Sequence, residues 1–151
     1  MYAVIRIKGK VGTKKEIEDT MKMLNLNKKH TCVLVPENPE MIGMLNKLRS
    51  HVTWGKISEE ILSKMIEKRG RLDGNKRIDD EFLKNNKIKN FKVLSENIIK
   101  GKTNLKSLGI KPYFRLSPPS KGFKYSIKRH YPRGALGDRK EKINELLKKM
   151  I

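Results

Sequence analysis

The sequence contains few acids, one cysteine and no long apolar run, and each shortage excludes a class of protein. Its 151 residues include 36 Lys and Arg against 16 Asp and Glu, which gives a formal net charge of +20. The one cysteine, Cys32, cannot form an internal disulfide framework and is typical of a reducing compartment. No stretch reaches the roughly 18 apolar residues of a membrane span, and the N-terminus lacks a signal-peptide pattern. The sequence therefore predicts a soluble, cytoplasmic chain with no membrane partner.

The excess of positive charge predicts a polyanionic partner. So large a charge repels itself in a compact fold unless an anion neutralises it. The excess is concentrated in residues 84–133, where fourteen Lys and Arg stand against a single acid, Glu96. Solvated protein surfaces normally mix both signs, so this imbalance indicates an interface with nucleic acid. No helix-turn-helix, zinc-finger or zipper pattern is present, which favours RNA over DNA.

The first 57 residues predict alternating strands and helices in the order β-α-β-α-β. Strand-like runs lie at 2–8, 31–35 and 51–57, where β-branched and aromatic residues are common. Gly55 interrupts the third run and indicates either a bulge or a close approach of another segment. These three strands predict a small three-stranded sheet.

Helix-start patterns follow the first two strands. Thr13-Lys14-Lys15-Glu16 matches a capping box, in which the Thr13 hydroxyl and the Glu16 carboxylate each satisfy a free backbone N–H. Asn38 and Pro39 predict the start of the second helix, because proline in the first helical position loses no hydrogen bond. Apolar residues then recur at three- and four-residue spacing, so one face of each helix is expected to be buried.

Beyond the third strand, the patterns predict more helices and one more strand. Ser58 and Gly70 bracket a third helix, which has acids in its first turn. The acids 79–81 predict the start of a short helix rather than a metal or general-base site, since no further ligand stands near them in the sequence. A strand is predicted over 111–116, whereas residues 117–137 have no regular period.

The chain is expected to end in an amphipathic helix capped by Asp138. The expected organisation is a β-α-β-α-β core at 1–57, a helical extension at 58–110, and a last segment at 111–151. That last segment combines a strand, a basic RNA-binding stretch and the C-terminal helix.

Residues with catalytic chemistry are scattered along the chain. His30, His51 and His130 have no serine, cysteine or paired carboxylate at a recognisable spacing. Cys32 lies in an apolar strand, where a thiol is typically a small core residue, and Trp54 is likewise expected in the core. The sequence therefore predicts no enzyme, no cofactor, no metal ion and no small-molecule substrate.

Aromatic residues strengthen the nucleic-acid interpretation. Phe123, Tyr125 and Tyr131 are interleaved with cations, glycine and proline, and aromatic rings can stack on exposed bases. The residues alone leave two other functions open. One is an architectural DNA-binding protein, and the other is an RNA-modifying enzyme with His130 or the acids 79–81 in its site.

Six blocks of sequence, in order, carry a resemblance to a known family. They are Val35–Pro39 (VPENP), Gly43–Leu48 (GMLNKL), Val52–Ile57 (VTWGKI), Arg69–Leu72 (RGRL), Gly74–Lys76 (GNK) and Ile110–Pro119 (IKPYFRLSPP). Together they closely resemble the universal L-thirty family of large-subunit ribosomal proteins, whose eukaryotic relative is L-seven. The chain continues well past the end of bacterial members and lacks the basic N-terminal extension of eukaryotic ones, so the resemblance is to the archaeal form.

The resemblance implies an α+β fold and a structural function. The implied fold is a three-stranded, ferredoxin-like β-α-β-α-β core with both helices on one sheet face, a helical extension, and a basic irregular C-terminal segment ending in a helix. The implied function is to bind and stabilise large-subunit ribosomal RNA as a constituent of the large ribosomal subunit. Neighbouring ribosomal proteins are the other implied partners, and no catalysis is implied.

The predicted RNA-binding residues come from the family motifs and from charge and aromatic character. The motifs imply Gly43, Met44, Lys47 and Arg49 on the second helix, and Arg69, Arg71, Asn75, Lys76 and Arg115 in the archaeal extension. Charge and aromatic character add Lys28, Lys29, Arg77, Lys121, Phe123, Lys124, Tyr125, Lys128, Arg129, His130, Tyr131 and Arg133.

Overall fold

The computed structural model describes residues 1–86 and 88–151. Two parts of the predicted features lie outside the described residues: Lys87 of the cationic segment, and the side chain of Asp80 in the acidic helix start. Among the helices that the structure describes, none has the length and apolar character needed to cross a lipid bilayer.

A six-stranded sheet forms the centre of the molecule, with the strand order β4-β2-β1-β3-β6-β5. The strands are β1 (Tyr2–Arg6), β2 (Thr31–Val35), β3 (Val52–Lys56), β4 (Tyr113–Arg115), β5 (Ser126–His130) and β6 (Gly134–Asp138). β1 pairs antiparallel with both β2 and β3, and β4 pairs antiparallel with β2. β6 pairs parallel with β3, and β5 forms the far edge beside β6. The edge strands β4 and β5 are therefore at opposite ends of one sheet.

Helices cover both faces of this sheet. They are α1 (Lys15–Met23), α2 (Pro39–Lys47), α3 (Glu59–Arg69), α4 (Asp80–Asn85), α5 (Phe91–Ile99) and α6 (Ile143–Met150). Short 3-10 turns lie at Asp73–Asn75, Lys106–Leu108 and Lys140–Lys142. The predicted α+β class, the β-α-β-α-β order of the core and the C-terminal helix are confirmed.

The two-residue period of β1 divides the core into two clusters. Val4 points to a cluster with α1 and α2, where Met21 and Leu45 are fully buried. Ala3 and Ile5 point to the opposite cluster, which is formed with α3, α5 and α6. The expectation that α1 and α2 share one sheet face is therefore confirmed.

The strand count differs from the expected three, because three C-terminal strands extend the core sheet. The expectation of an irregular segment over residues 123–137 was wrong, since β5 and most of β6 lie there. Every residue of β5 is exposed, and an exposed strand needs no alternation of apolar and polar residues. Its sequence, SIKRH, therefore gives no strand signal. β6 is buried, but its sequence GALGD contains two glycines and one large apolar residue, which is typical of a loop. The division into 1–57, 58–110 and 111–151 stays a prediction.

Two capping predictions were also wrong. Helix α1 begins at Lys15 without a side-chain cap, and the Thr13 hydroxyl lies instead 3.4 Å from the Gly9 carbonyl oxygen and 3.3 Å from His51 Nε2. Asp138 is the last residue of β6, and its carboxylate accepts a hydrogen bond from the Lys140 N–H at 2.8 Å. It therefore caps the turn that precedes α6 rather than α6 itself.

Candidate nucleic-acid interface

A basic groove lies beside β4, the edge strand of the sheet. Its volume is about 220 Å³, and its described lining residues include no Asp or Glu. The lining residues, which we call the β4 groove, are Arg69, Arg71, Asn75, Lys111, Tyr113 and Arg115. Four of the predicted RNA-binding residues, from three separate sequence motifs, are thus brought together here.

The end of α3 positions one wall of the β4 groove. Gly70 ends this helix where a side chain has no room, because a Cβ would overlap the Ile66 carbonyl oxygen. The chain then turns, and isolated β-bridges join Arg71 to Arg77 and Leu72 to Ile110. The Lys111 N–H also donates to the Arg71 carbonyl oxygen at 2.9 Å. The backbone therefore holds Arg71 next to Lys111.

Two of the groove guanidinium groups are held by hydrogen bonds to oxygen atoms. Arg69 donates to the Ile151 backbone oxygen from Nε at 3.3 Å and from Nη2 at 3.1 Å, and it also donates to the Ser117 hydroxyl. Arg71 donates to the Gly70 carbonyl oxygen at 2.8 Å. These bonds orient the two side chains.

A second basic surface, which we call the β5 surface, runs along β5 at the opposite edge of the sheet. Lys128, Arg129 and His130 are all exposed on this strand. Just before it, the Lys124 ammonium lies 5.7 Å from the centre of the Tyr125 ring, which is 40% exposed. This arrangement offers both charge and an accessible aromatic ring to a polyanion.

A cavity of about 170 Å³ lies behind this second surface. Tyr125 and Tyr131 line it together with Arg139 and Lys142. Arg139 lies 5.5 Å from the centre of the Tyr131 ring and is 8% exposed. Its guanidinium donates to the Thr53 hydroxyl at 3.0 Å and to the Ala135 carbonyl oxygen at 3.1 Å, and burial lowers its pKa. Arg139 thus connects the aromatic residues to the core strand β3.

Phe123 packs inward, against the half-buried His30. Its ring stacks on His30 with 6.2 Å between ring centres and an angle of 19° between the planes. Burial lowers the pKa of His30, and the nearby Lys29 lowers it further. His30 Nδ1 is buried and has no hydrogen-bond partner within the described part of the chain. Phe123 therefore anchors the start of the basic C-terminal segment to the core, in addition to any contact with a base.

Lys28 and Lys29 are exposed in the loop between α1 and β2. Arg6, which is 2% exposed, holds this loop by donating to the carbonyl oxygens of Leu26 at 2.7 Å and Asn27 at 3.1 Å. Burial lowers the pKa of Arg6. The buried cation therefore fixes the position of two exposed ones.

The predicted residues on and after α2 differ in their exposure. Gly43, Lys47 and Arg49 are exposed, whereas Met44 is half-buried against the core cluster of α1 and α2. The Lys47 ammonium lies 3.7 Å from a Glu16 carboxylate oxygen, so its charge is partly neutralised. The other predicted cations are exposed in loops: Lys76, Arg77, Lys121 and Arg133.

Sequence reasoning missed four residues of these two surfaces: Lys111, Tyr113, Arg139 and Lys142. Lys111 and Tyr113 could have been predicted from the sequence. A strand places every second residue on one side, and Arg115 of the same predicted strand was already a candidate. Arg139 and Lys142 follow a strand that the sequence pattern did not reveal. Only the structure brings them beside Tyr131.

The residues with catalytic chemistry form no site that the structure describes. Cys32 is fully buried in the core and Trp54 is buried, both as expected, and burial raises the pKa of the Cys32 thiol to about 12. Asp79 and Glu81 are exposed at the start of α4. Within residues 1–86 and 88–151, no three His, Cys, Asp or Glu side chains are grouped to hold a metal ion.

Comparisons with known proteins agree with these features. A model of the family described as ribosomal protein L30p/L7e matches residues 2–52. The large ribosomal subunit protein uL30 of Methanosphaera stadtmanae is 47% identical over the whole of both chains. The proteins of the same name from Nanoarchaeum equitans and Archaeoglobus fulgidus are 42% and 43% identical, each over at least 99% of both chains. These names denote a place in the ribosome rather than a reaction.

Proposed function

The chain belongs to the ribosomal protein L30p/L7e family, in its archaeal form, and we propose that it is a structural constituent of the large ribosomal subunit. In this proposal it binds and stabilises large-subunit ribosomal RNA in the cytoplasm, next to other ribosomal proteins. It performs no catalysis, and its predicted RNA-binding residues act through charge, hydrogen bonding and stacking.

The distribution of charge carries the proposal. Among the described residues of 84–133, one ion pair is present, between Lys100 and Glu96 at 3.4 Å. The remaining described cations of this segment form no ion pair with Asp or Glu. A set of like charges without acids is destabilising in isolation, and RNA phosphates would neutralise it.

The sheet supplies a mechanism for holding RNA segments in fixed relative positions. The β4 groove and the β5 surface occupy opposite edges of one six-stranded sheet. Adjacent strands are about 4.8 Å apart, so five spacings separate the two edges by about 24 Å. A protein that binds one RNA segment at each edge would therefore act as a rigid spacer between them.

The first test measures affinity for purified large-subunit ribosomal RNA as a function of salt. If six to ten phosphates are contacted, affinity should fall by roughly 10³- to 10⁵-fold between about 50 and 200 mM salt. The variant Lys124→Gln/Lys128→Gln/Arg129→Gln/Arg133→Gln should bind more weakly and with a shallower salt dependence. The matched control Lys14→Gln/Lys15→Gln/Lys64→Gln/Lys68→Gln removes the same charge from exposed helix positions outside the predicted set.

Three outcomes would contradict parts of this proposal. Unchanged affinity of the quadruple C-terminal variant would remove the β5 surface from the mechanism. If duplex DNA binds more tightly than ribosomal RNA in competition at equal phosphate concentration, an architectural DNA-binding protein would be favoured. A modified or cleaved RNA product after incubation with common cofactors would favour an enzyme.

The second test is sedimentation of a cell lysate. A ribosomal constituent should migrate with the large ribosomal subunit and should remain with it at moderate salt. Migration of the protein with free RNA or with chromosomal DNA would contradict the proposal.

A further inference from the structure

The β4 groove brings several cations together with no Asp or Glu among its described lining residues. A few lysines elsewhere lie close to acids, as in the pair of Lys56 with Glu37 at 3.1 Å or of Lys22 with Asp19 at 3.4 Å. In the groove, four cationic side chains surround one cavity of about 220 Å³. Like charges that converge on one small space repel each other, and a bound anion removes that repulsion.

The groove is also built before any ligand binds. Arg69 and Arg71 are oriented by backbone oxygens, and the bridge between Leu72 and Ile110 fixes the loop against the approach to β4. Lys111 Nζ donates to the Asn75 side-chain oxygen at 3.4 Å, so the Asn75 amide N–H groups remain to donate to a ligand. A site whose donors are already ordered loses little conformational entropy on binding.

One wall of the groove is flat and aromatic. The Arg115 guanidinium carbon lies 6.0 Å from the centre of the Tyr113 ring. Rings and guanidinium planes are the two surfaces on which proteins stack unpaired bases. Charge for a phosphate and a flat surface for a base thus occur in the same cavity.

Building on the proposed function, we infer that the β4 groove binds a single unpaired nucleotide of the RNA. Its phosphate lies between Arg71, Lys111 and Arg115, and its base lies against the Tyr113 ring. Asn75 donates to an oxygen of the nucleotide. A nucleotide inside an A-form duplex cannot enter in this way, because its base is stacked and paired, so the groove selects a bulged or single-stranded position.

The test compares two probes on the full chain, a short oligouridylate and an A-form RNA duplex of similar length, by fluorescence anisotropy. Tyr113→Leu should weaken oligouridylate binding by about 5-fold or more, since a stacked base is lost, and should leave duplex binding unchanged. Tyr113→Phe keeps the ring and should bind both probes like the wild type. Arg71→Gln/Arg115→Gln should lower the salt slope for oligouridylate by about 0.7 for each lost phosphate contact.

The control for the arginine pair is Lys64→Gln/Lys68→Gln, which removes the same charge from the exposed side of α3. The inference is overturned if the arginine pair loses no more oligouridylate affinity than this control. It is also overturned if Tyr113→Leu weakens both probes equally or weakens neither. Binding of the wild-type chain to ribosomal RNA is measured in parallel. If the wild type does not bind ribosomal RNA, the proposed function is refuted. If it binds but the groove substitutions lack their expected effects, only the inference about the groove is refuted.

Tyr113 also packs against the core cluster of α1 and α2, so Tyr113→Leu could lower stability for a separate reason. Ultraviolet cross-linking of oligouridylate to the wild-type chain avoids that difficulty. The cross-linked nucleotide is expected on the peptide that contains Tyr113. Cross-links confined to residues 121–133 would overturn the inference.

Discussion

Gly55 allows the C-terminal helix to approach the sheet. A Cβ at this position would overlap the backbone carbonyl oxygen of Lys140 and would lie 3.0 Å from Cβ and Cγ2 of Ile143, the first residue of α6. Backbone atoms cannot move aside as a flexible side chain can. The sequence analysis expected a bulge or a close approach at Gly55, and the close approach is what the structure contains.

Gly55→Ala should therefore destabilise the protein by about 3 kcal/mol, because α6 must shift away from β3. Gly43→Ala is the matched control: Gly43 lies inside α2 and a Cβ there meets nothing within 4 Å. That substitution should stabilise the protein by about 0.5 to 1 kcal/mol, since alanine loses less backbone entropy in a helix. Urea unfolding measures both values, and a Gly55→Ala variant as stable as the wild type would contradict this account.

At the scale of elements, local patterns predicted those segments whose own residues decide their structure. β1, β2 and β3 have β-branched runs, and α3 has acids in its first turn and four buried apolar residues at helical spacing. β5 and β6 lack such patterns. β6 is a strand because β3 supplies its hydrogen bonds, and β3 lies about 80 residues earlier, outside any local window of sequence.

The same distinction applies to the candidate site. Charge and motifs identified Arg69, Arg71, Asn75 and Arg115, but they could not bring residues 46 positions apart into one groove. The β-bridge of Leu72 to Ile110 does so. Long-range pairing of this kind depends on the whole fold, and single-sequence patterns carry no information about it.

Arg139 provides a test of how the C-terminal strands are attached. Its guanidinium joins the Thr53 hydroxyl of β3 to the Ala135 carbonyl oxygen of β6. Arg139→Met should lower the free energy of unfolding by about 2 to 3 kcal/mol, because a buried carbonyl oxygen and a hydroxyl lose charged donors. Hydrogen exchange should accelerate at residues 134–138 and change little in β1.

Arg129→Met is the matched control for Arg139→Met. It makes the same chemical change at an exposed position of β5, and it should alter the unfolding free energy by less than about 0.5 kcal/mol. Equal effects of the two substitutions on stability, or uniform acceleration of exchange along the whole sheet, would mean that Arg139 does not specifically attach β6.

At the scale of the whole molecule, the net charge of +20 opposes folding and favours RNA binding at once. The ion pairs that the structure describes are mainly exposed, as with Lys22 and Asp19 or Lys100 and Glu96, and exposed pairs contribute little stability. Self-repulsion between the cations is therefore weakly compensated within the chain. Two cationic edges on one sheet place that repulsion where RNA would relieve it.

Salt should consequently change the stability of the free and the RNA-bound protein in opposite directions. For the free chain, NaCl screens repulsion, since the Debye length falls from about 10 Å at 0.1 M to about 3 Å at 1 M, and Tm should rise. For the complex, free RNA at 100 times Kd adds about 2.7 kcal/mol of stability, and this contribution disappears as salt weakens binding. The two Tm values should converge at high salt.

Differential scanning fluorimetry over a range of NaCl concentrations, with and without ribosomal RNA, measures this convergence. Chloride is the appropriate anion, because sulfate strengthens burial by its exclusion from the protein surface and so changes stability by another route. The quadruple variant at Lys124, Lys128, Arg129 and Arg133 has less charge to screen, so its free Tm should rise less with salt. A free wild-type chain whose Tm falls as NaCl is added would contradict the view that unneutralised positive charge limits its stability, and with it the physical reason for expecting a polyanionic partner.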